Sequence, residues 1–143
     1  MTNPPPGYEP HSRKSPVTAP WEPLYARHGD DAIDIGFRLA EPHCNSRGLL
    51  HGGVIAALAD NAMGLCYGIA YEKAFGVRAA AVTVSLNVDY VASASIGQWI
   101  EVKPHVVKAG RSMGFIGALV TADGVTIARA SATFRAPEAA KRP

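Results

Sequence analysis

The sequence has 143 residues, 48% of them hydrophobic, which is typical of one globular domain with a single core. Its formal net charge is only +2, and the lysines and arginines are scattered along the chain. This excludes the clustered basic pattern of a nucleic-acid-binding domain. The two cysteines, Cys44 and Cys66, belong to no metal-binding or redox motif, so we expect free thiols and no metal.

The N-terminal segment is rich in proline and polar residues and has neither helical nor strand periodicity. Such a segment buries too little apolar surface to offset the entropy lost on ordering. We therefore predict a mobile or loosely docked arm at residues 1–22, followed by one domain at residues 23–138. The N-terminus has no charged-then-apolar signal sequence, so we expect a cytoplasmic protein.

Alternating apolar and polar residues predict the strands, and an apolar run after Gly52-Gly53 predicts one long helix. The strands are predicted at 33–39, 82–90, 99–107, 112–121 and 125–134, with a tight turn at Gly110-Arg111. Pro104 removes a ladder donor, so its strand is expected at an edge or with a bulge. Asp123-Gly124 favours a hairpin turn. The order predicts an α+β fold with an antiparallel sheet packed on one helix.

The helix is apolar nearly all round. Positions facing the sheet are predicted to be Val54, Ile55, Leu58, Ala59, Ala62, Leu65, Cys66 and Ile69. The opposite face holds Ala56, Ala57, Asp60, Gly64, Tyr67 and Gly68, where a solvated helix would carry several charges. A second copy of the chain is the natural cover for it, so we expect a homo-oligomer. A membrane-spanning helix is disfavoured by Asp60, Asn61 and the amphipathic strands around it.

Asp60 is the only side chain between His51 and Tyr71 that is charged at neutral pH. Burying an unpaired carboxylate costs several kcal/mol and raises its pKa, so folding alone disfavours this residue here. Its neighbours one turn away, Ala56 and Gly64, leave space beside it for a ligand. The helix pattern is equally compatible with an ion pair or a contact across an interface.

The loop before the helix ends in His51-Gly52-Gly53. Amides at a helix start have no intrahelical acceptor and lie at its positive end, and glycine allows close approach. Gly52 and Gly53 therefore suit an oxyanion hole, with Asp60 as base or nucleophile. The simpler alternatives are a tight turn for the glycines and a turn-stabilising hydrogen bond for His51.

Together these residues resemble a known signature. Asn45, Gly48, His51-Gly52-Gly53-Val54, Leu58-Ala59-Asp60 and Ala62-Met63-Gly64 are similar to the phenylacetate-pathway (PaaI-like) hotdog-fold acyl-coenzyme A (CoA) thioesterases. The likeness continues through Thr83 to Tyr90 and the Gly110-Arg111 turn. It implies a helix wrapped by an antiparallel sheet. It also implies dimers that share one sheet, with two active sites at their interface and frequent pairing into tetramers.

The resemblance also implies roles for residues. The Gly52 amide would polarise the thioester carbonyl, and Asp60 of the other chain would activate water or attack directly. Asn45 and His51 would orient the loop and the substrate, and the Thr83 hydroxyl would assist the water. On the substrate side the expected residues are Gly53, Met63, Gly64, Tyr67 and Arg111. Some relatives have Glu in place of Asp60 and Thr in place of Gly64, so the water-holding arrangement can differ.

The expected substrate is an acyl-CoA, and no cofactor is expected because a thioester is already electrophilic. Arg111, with Lys108 nearby, suits CoA phosphates, although a solvated turn explains it equally well. Alternatives are a hydroxyacyl-thioester dehydratase or hydratase on this fold, a non-catalytic acyl-CoA-binding protein, and a cysteine hydrolase using Cys44 and His51. Neither a nucleic-acid nor a membrane partner is expected, and the acyl group stays open.

Overall fold

The computed structural model describes residues 3–137, in which one long helix packs against a seven-stranded antiparallel sheet. The helix is α1 (Gly52–Phe75). The strands are β1 (Glu9–Pro10), β2 (Tyr25–His28), β3 (Ile33–Arg38), β4 (Val82–Tyr90), β5 (Trp99–Ala109), β6 (Met113–Ala122) and β7 (Val125–Arg135), in the sheet order β1-β2-β3-β5-β6-β7-β4. This is the hotdog arrangement, and the predicted α+β class is confirmed.

α1 extends beyond the apolar run from which it was predicted and ends at Gly76, which adopts φ 79° and donates its amide to Glu72. By length and composition alone the helix is apolar enough to cross a membrane, but half of that apolar stretch is buried inside the protein. The core lies between α1 and the sheet. The fully buried large side chains there include Leu58, Met63, Tyr67 and Tyr71 on the helix, and Phe37, Ile100, Ile116 and Ile127 on the strands.

The closing hairpin forms as predicted. Asp123 and Gly124 both have positive φ, 47° and 84°, which fits the tight turn between β6 and β7. The prediction for Pro104 is wrong in part, because β5 lies in the middle of the sheet and its irregularity comes after Pro104, between Val106 and Lys108. The β3 ladder ends at Val102, so Pro104 interrupts no hydrogen bond to β3.

The N-terminal arm is docked in its described residues 3–22, so of the two predicted alternatives the structure agrees with the docked arm and not with the mobile one. β1 pairs with β2, two strands that hydrophobic periodicity did not detect. The buried Tyr8 packs its ring 5.2 Å from that of Trp99 and donates its hydroxyl to Glu101 at 2.8 Å. One aromatic residue with a buried polar partner therefore anchors a segment whose composition lacks apolar periodicity.

β4 forms one edge of the sheet. Within residues 3–137 it pairs with β7 alone, although it is nine residues long. Val82, Val84 and Leu86 are 43%, 53% and 39% exposed, and the intervening Thr83 and Ser85 are exposed too, so both faces of this part of the strand are open to solvent. A long, apolar and unpaired edge strand is a ready template for pairing with another chain.

Candidate active site

Asp60 is half-buried on α1 and contacts the start of β4. The Thr83 hydroxyl donates a hydrogen bond to Asp60 Oδ1 at 2.8 Å. Among the described residues Asp60 forms no salt bridge within 4 Å, and Oδ2 has no hydrogen-bond donor. The ion-pair alternative for this carboxylate is therefore not what the structure contains.

A pocket of about 290 Å³ opens beside Asp60. Its lining is drawn from α1, from the segment that leads into β4, from β7 and from the arm: Arg13, Asp60, Asn61, Gly64, Leu65, Gly68, Arg78, Ala79, Ala80, Ala81, Thr83 and Phe134. The space expected beside Gly64 is thus present. None of these lining residues is a histidine or a cysteine.

The two glycine amides at the start of α1 differ in their hydrogen bonds. Gly53 N donates to His51 Nδ1 at 2.8 Å, so the histidine acts as the N-cap and uses that amide. Gly52 N has no acceptor among residues 3–137. Tyr90 donates its hydroxyl to the Gly52 carbonyl at 2.7 Å, which fixes the peptide that joins the two glycines. Gly52 N is therefore the amide left for a ligand.

Asn45 fixes the loop that precedes α1. Its side-chain oxygen accepts hydrogen bonds from the amides of Arg47 and Leu49, at 2.9 and 3.1 Å, and its own amide donates to the Leu49 carbonyl. Gly48 lies inside this turn at φ 76°, a conformation that favours glycine. The contacts of Asn45 thus give it the predicted role of orienting the loop.

Three residues predicted on the substrate side lie elsewhere in the single chain. Met63 and Tyr67 are fully buried and do not line the pocket, since the Tyr67 ring packs over Gly114 and its hydroxyl donates to the Gly110 carbonyl at 2.8 Å. Arg111 lies over the Phe75 ring at 4.3 Å, near the far end of α1. Helical periodicity misplaced Tyr67 because β6 and β7 reach the helix at this residue, where its ring packs over Gly114 and lies 6.1 Å from the Phe134 ring.

Sequence patterns did not identify Tyr90, Arg13 or Arg78 as site residues. Tyr90 sits at the end of a strand whose alternation gave no hint of a contact with Gly52. Arg13 belongs to the arm and Arg78 to the connection after α1, so only the folded chain brings them to the same pocket. Composition alone treats both arginines as ordinary surface charges.

Gly52 and Asp60 of one chain are too far apart to act on the same carbonyl group. They are eight residues apart on α1, which corresponds to about 12 Å along the axis. A reacting carbon must lie about 3 Å from both the oxyanion donor and the attacking group. A single chain therefore does not bring these two groups to one carbonyl carbon.

Comparison with known protein sequences identifies a family. The model of the thioesterase superfamily matches residues 47–129, a range that contains Gly52, Asp60 and Thr83. A Pseudomonas aeruginosa protein named "Putative esterase PA0474" is 34% identical over 138 residues, covering 96% of this chain and all of that protein. Human acyl-coenzyme A thioesterase 13 is 33% identical over 78 residues, which cover 54% of this chain and about half (52%) of the human protein.

Solved structures have the same fold. Zebra fish thioesterase superfamily member 2 is 26% identical and superimposes with a TM-score of 0.71, covering 80% of this chain and 81% of that one. A variant of the phenylacetic acid degradation protein PaaI from Thermus thermophilus is 23% identical, with a TM-score of 0.67 over 80% of this chain and 93% of that one. The hotdog fold is thereby confirmed, and the match to the family model confirms the predicted resemblance to thioesterases.

Proposed function

Because the chain belongs to the thioesterase superfamily, we propose that it hydrolyses an acyl-CoA to the free acid and CoA, with Asp60 as general base or nucleophile. The observation that carries this proposal is the unpaired Asp60 carboxylate, held by the Thr83 hydroxyl and open to a pocket. The name of the human relative, acyl-coenzyme A thioesterase 13, supports the CoA ester as substrate.

In the general-base form of the reaction, Asp60 takes a proton from water while the water oxygen bonds to the thioester carbon. Thr83 occupies Oδ1, which leaves Oδ2 to receive that proton. The Gly52 amide stabilises the resulting oxyanion. The intermediate then breaks its C–S bond, and Asp60 returns the proton to the departing thiolate. In the nucleophilic form, Asp60 attacks the carbon directly and the C–S bond breaks, so that the thiolate leaves and an anhydride forms. Water then cleaves the anhydride, which restores the Asp60 carboxylate and releases the acid, and a proton from that water passes to the thiolate.

These groups account for a useful rate without a metal or an organic cofactor. An aimed oxyanion donor contributes about 3 kcal/mol, and a general base contributes roughly a hundredfold to ten-thousandfold. The thioester carbonyl is electrophilic before it binds. The proposed reaction therefore needs only water and the protein groups named above.

The active unit is proposed to be a homodimer, or a tetramer made of two such dimers. The separation of about 12 Å between Gly52 and Asp60 within one helix requires a second chain to complete the site. The open β4 edge offers the surface on which two sheets join into one. Each dimer then holds two sites, each with Gly52 from one chain and Asp60 from the other.

Two rival chemistries have less support. A dehydratase needs a histidine that moves a proton at the α carbon, and the described lining of the Asp60 pocket contains none. A cysteine hydrolase needs Cys44 beside His51, but the Cys44 thiol donates to the Ala40 carbonyl and His51 Nδ1 is used by Gly53. Neither arrangement prepares a nucleophile or a proton carrier.

The test is a panel of short, medium and aromatic acyl-CoA esters assayed for released thiol, with wild-type and Asp60→Asn protein. The substitution keeps the side-chain shape, so we expect a folded protein whose kcat is at least about a hundredfold lower. Asp30→Asn is the matched control, because Asp30 is exposed and away from the pocket. An unchanged kcat in folded Asp60→Asn protein would refute the proposed mechanism.

A further inference from the structure

The Asp60 pocket carries more positive charge than thioester hydrolysis requires. Its lining includes two guanidinium groups, those of Arg13 and Arg78, against one carboxylate. A thioester carbonyl is neutral, and the charge that develops on it is met by a backbone amide in the proposed mechanism. The two arginines therefore indicate a second interaction with the substrate, separate from the one at the thioester carbonyl.

Arg78 is held in place across the helix. A Cβ on Gly68 would lie 3.2 Å from the Arg78 Cδ, so the arginine stem passes close over α1 at that glycine. Its Nε and Nη2 donate to Glu72 Oε1 at 3.2 and 2.9 Å, which leaves Nη1 without a partner among residues 3–137. Gly68 is eight residues beyond Asp60, so this cation lies about 12 Å along the helix from the carboxylate.

Arg13 comes to the same pocket from the docked arm. Within residues 3–137 it forms no ion pair, whereas its neighbour Lys14 pairs with Glu22 at 3.0 Å. Tyr8 and the His11 amide, which donates to the Leu24 carbonyl at 2.9 Å, anchor the segment just before it. An unpaired guanidinium on an anchored segment is available to an anion that enters the pocket.

We propose that Arg13 and Arg78 bind an anionic oxygen group of the substrate, at the end of the pocket away from Asp60, so that the arm forms part of the substrate site. The inference rests on the proposed hydrolysis and deepens it. Planar guanidinium groups pair with carboxylates and phosphates alike. The anion is thus either a carboxylate at the far end of the acyl group or a phosphate of CoA.

Four thioesters distinguish the two sources: hexanoyl and adipyl groups, each carried on CoA and on N-acetylcysteamine, which has no phosphate. The variants are Arg13→Gln and Arg78→Gln. Lys14→Gln is the control for Arg13, because it removes one charge from the same arm. Glu72→Gln is the control for Arg78, because it breaks the same ion pair and keeps the cation.

We expect each arginine variant to raise KM about tenfold for the anionic substrates while kcat is unchanged, which corresponds to one lost charge-assisted hydrogen bond. A loss confined to both adipyl esters identifies the acyl carboxylate, and a loss confined to both CoA esters identifies a phosphate. Hexanoyl-N-acetylcysteamine should be hydrolysed equally by all five proteins. Equal losses on all four esters, no loss on any, or losses reproduced by the controls would overturn the proposal.

Equilibrium binding separates this inference from the proposed reaction. Calorimetric titration of CoA and of adipate into wild-type and Arg13→Gln protein needs no turnover. We expect the arginine variant to weaken one of the two ligands about tenfold. Loss of hydrolysis in Asp60→Asn with normal binding would support the proposed reaction, and tenfold weaker binding of one ligand by Arg13→Gln would support the arginine site. Normal binding of both ligands by Arg13→Gln would overturn the arginine site and leave the hydrolysis proposal standing.

Discussion

Asp60 could be identified from the sequence because an isolated acid in an apolar helix is a residue that folding disfavours. Its orientation could not, since the hydrogen bond from Thr83 joins residues 23 positions apart. The same limit applies to the two glycines, which are equivalent in the sequence. Only the contact from Gly53 N to His51 Nδ1 shows that Gly52 N is the free donor. The residue pattern therefore predicted the residue types, whereas separate roles for the Gly52 amide and the Thr83 hydroxyl came only from the family resemblance.

Thr83→Val tests the hydrogen bond that orients the carboxylate. Valine has nearly the same shape but no hydroxyl, so Asp60 loses its donor at Oδ1. We expect kcat to fall roughly tenfold to a hundredfold, in line with the loss of one hydrogen bond to a charged group. Thr83→Ser keeps the hydroxyl and should retain most of the activity. If the two variants have the same kcat, the hydroxyl does not assist the reaction.

The predicted strands and hairpin of the domain were recognisable from alternating residues and turn residues, as β3, which buries Ile33, Ile35 and Phe37, and the Asp123-Gly124 turn illustrate. The strands β1 and β2 were not, because they are short and anchored by Tyr8 and His11, whose burial follows no period. The middle position of β5 was also unpredictable. The chain order of strands does not fix their order in the sheet.

Gly64 lowers the stability of α1 but leaves space in the Asp60 pocket. A Cβ there would lie 3.5 Å from the Phe134 ring, an ordinary contact, so alanine fits without strain. We expect Gly64→Ala to stabilise the protein by about 0.5–1 kcal/mol, because glycine in a helix loses more backbone entropy than alanine. The methyl group enters the pocket, so kcat/KM should fall for bulky acyl groups.

Thermal unfolding and a substrate series measure the two effects of Gly64→Ala. Gly76→Ala is the contrasting control: Gly76 adopts φ 79°, where alanine is strained, so its Tm should fall while acyl preference stays the same. A Gly64→Ala protein that is more stable and handles bulky acyl groups like the wild type would show that this part of the pocket is not the acyl site.

Two buried histidines tie the arm region to the domain and make it sensitive to acid. Burial lowers the pKa of His11 and of His43 below the ordinary value of 6.5. His43 Nδ1 accepts from the Ala40 amide at 3.0 Å, a bond that protonation would remove. The unfolded chain thus binds more protons than the folded one below pH 6.5, so stability falls as the pH drops through that value.

The measurement for this pH effect is Tm between pH 7.5 and pH 5. We expect the wild-type Tm to decrease as the pH falls from about 6.5, and the His11→Gln/His43→Gln double variant to show a shallower decrease from a lower starting Tm. An identical slope for the two proteins would assign the acid sensitivity to other groups.

At the scale of the whole molecule, the proposed assembly rests on the distance between Gly52 and Asp60. These residues are separated by about 12 Å along α1, and no side-chain motion brings the Gly52 amide to the Asp60 carboxylate of the same chain. The sequence implied a partner through the nearly uncharged second face of the helix. The structure adds the open β4 edge, with Val84 53% exposed, on which the proposed partner would pair. Both observations support the proposal that two chains form each site.

Mixed dimers test whether each site takes Gly52 from one chain and Asp60 from the other. Gly52→Pro removes the free amide, and proline is tolerated at the first position of a helix. His51, at φ −72° and ψ 133°, already has the backbone conformation that a residue before proline prefers. We expect Gly52→Pro to lower kcat roughly a hundredfold to a thousandfold, whereas Gly52→Ala, which keeps the amide, should lose far less.

When Gly52→Pro and Asp60→Asn chains are unfolded and refolded together, half of the dimers are expected to be mixed, and each mixed dimer holds one site with both groups intact. Thiol release should then recover to about a quarter of the wild-type rate per chain, although each variant alone is nearly inactive. Recovery requires that the two groups come from different chains. If they belonged to the same chain, every site in the mixture would carry one defect, and the rate would stay at the level of the separate variants.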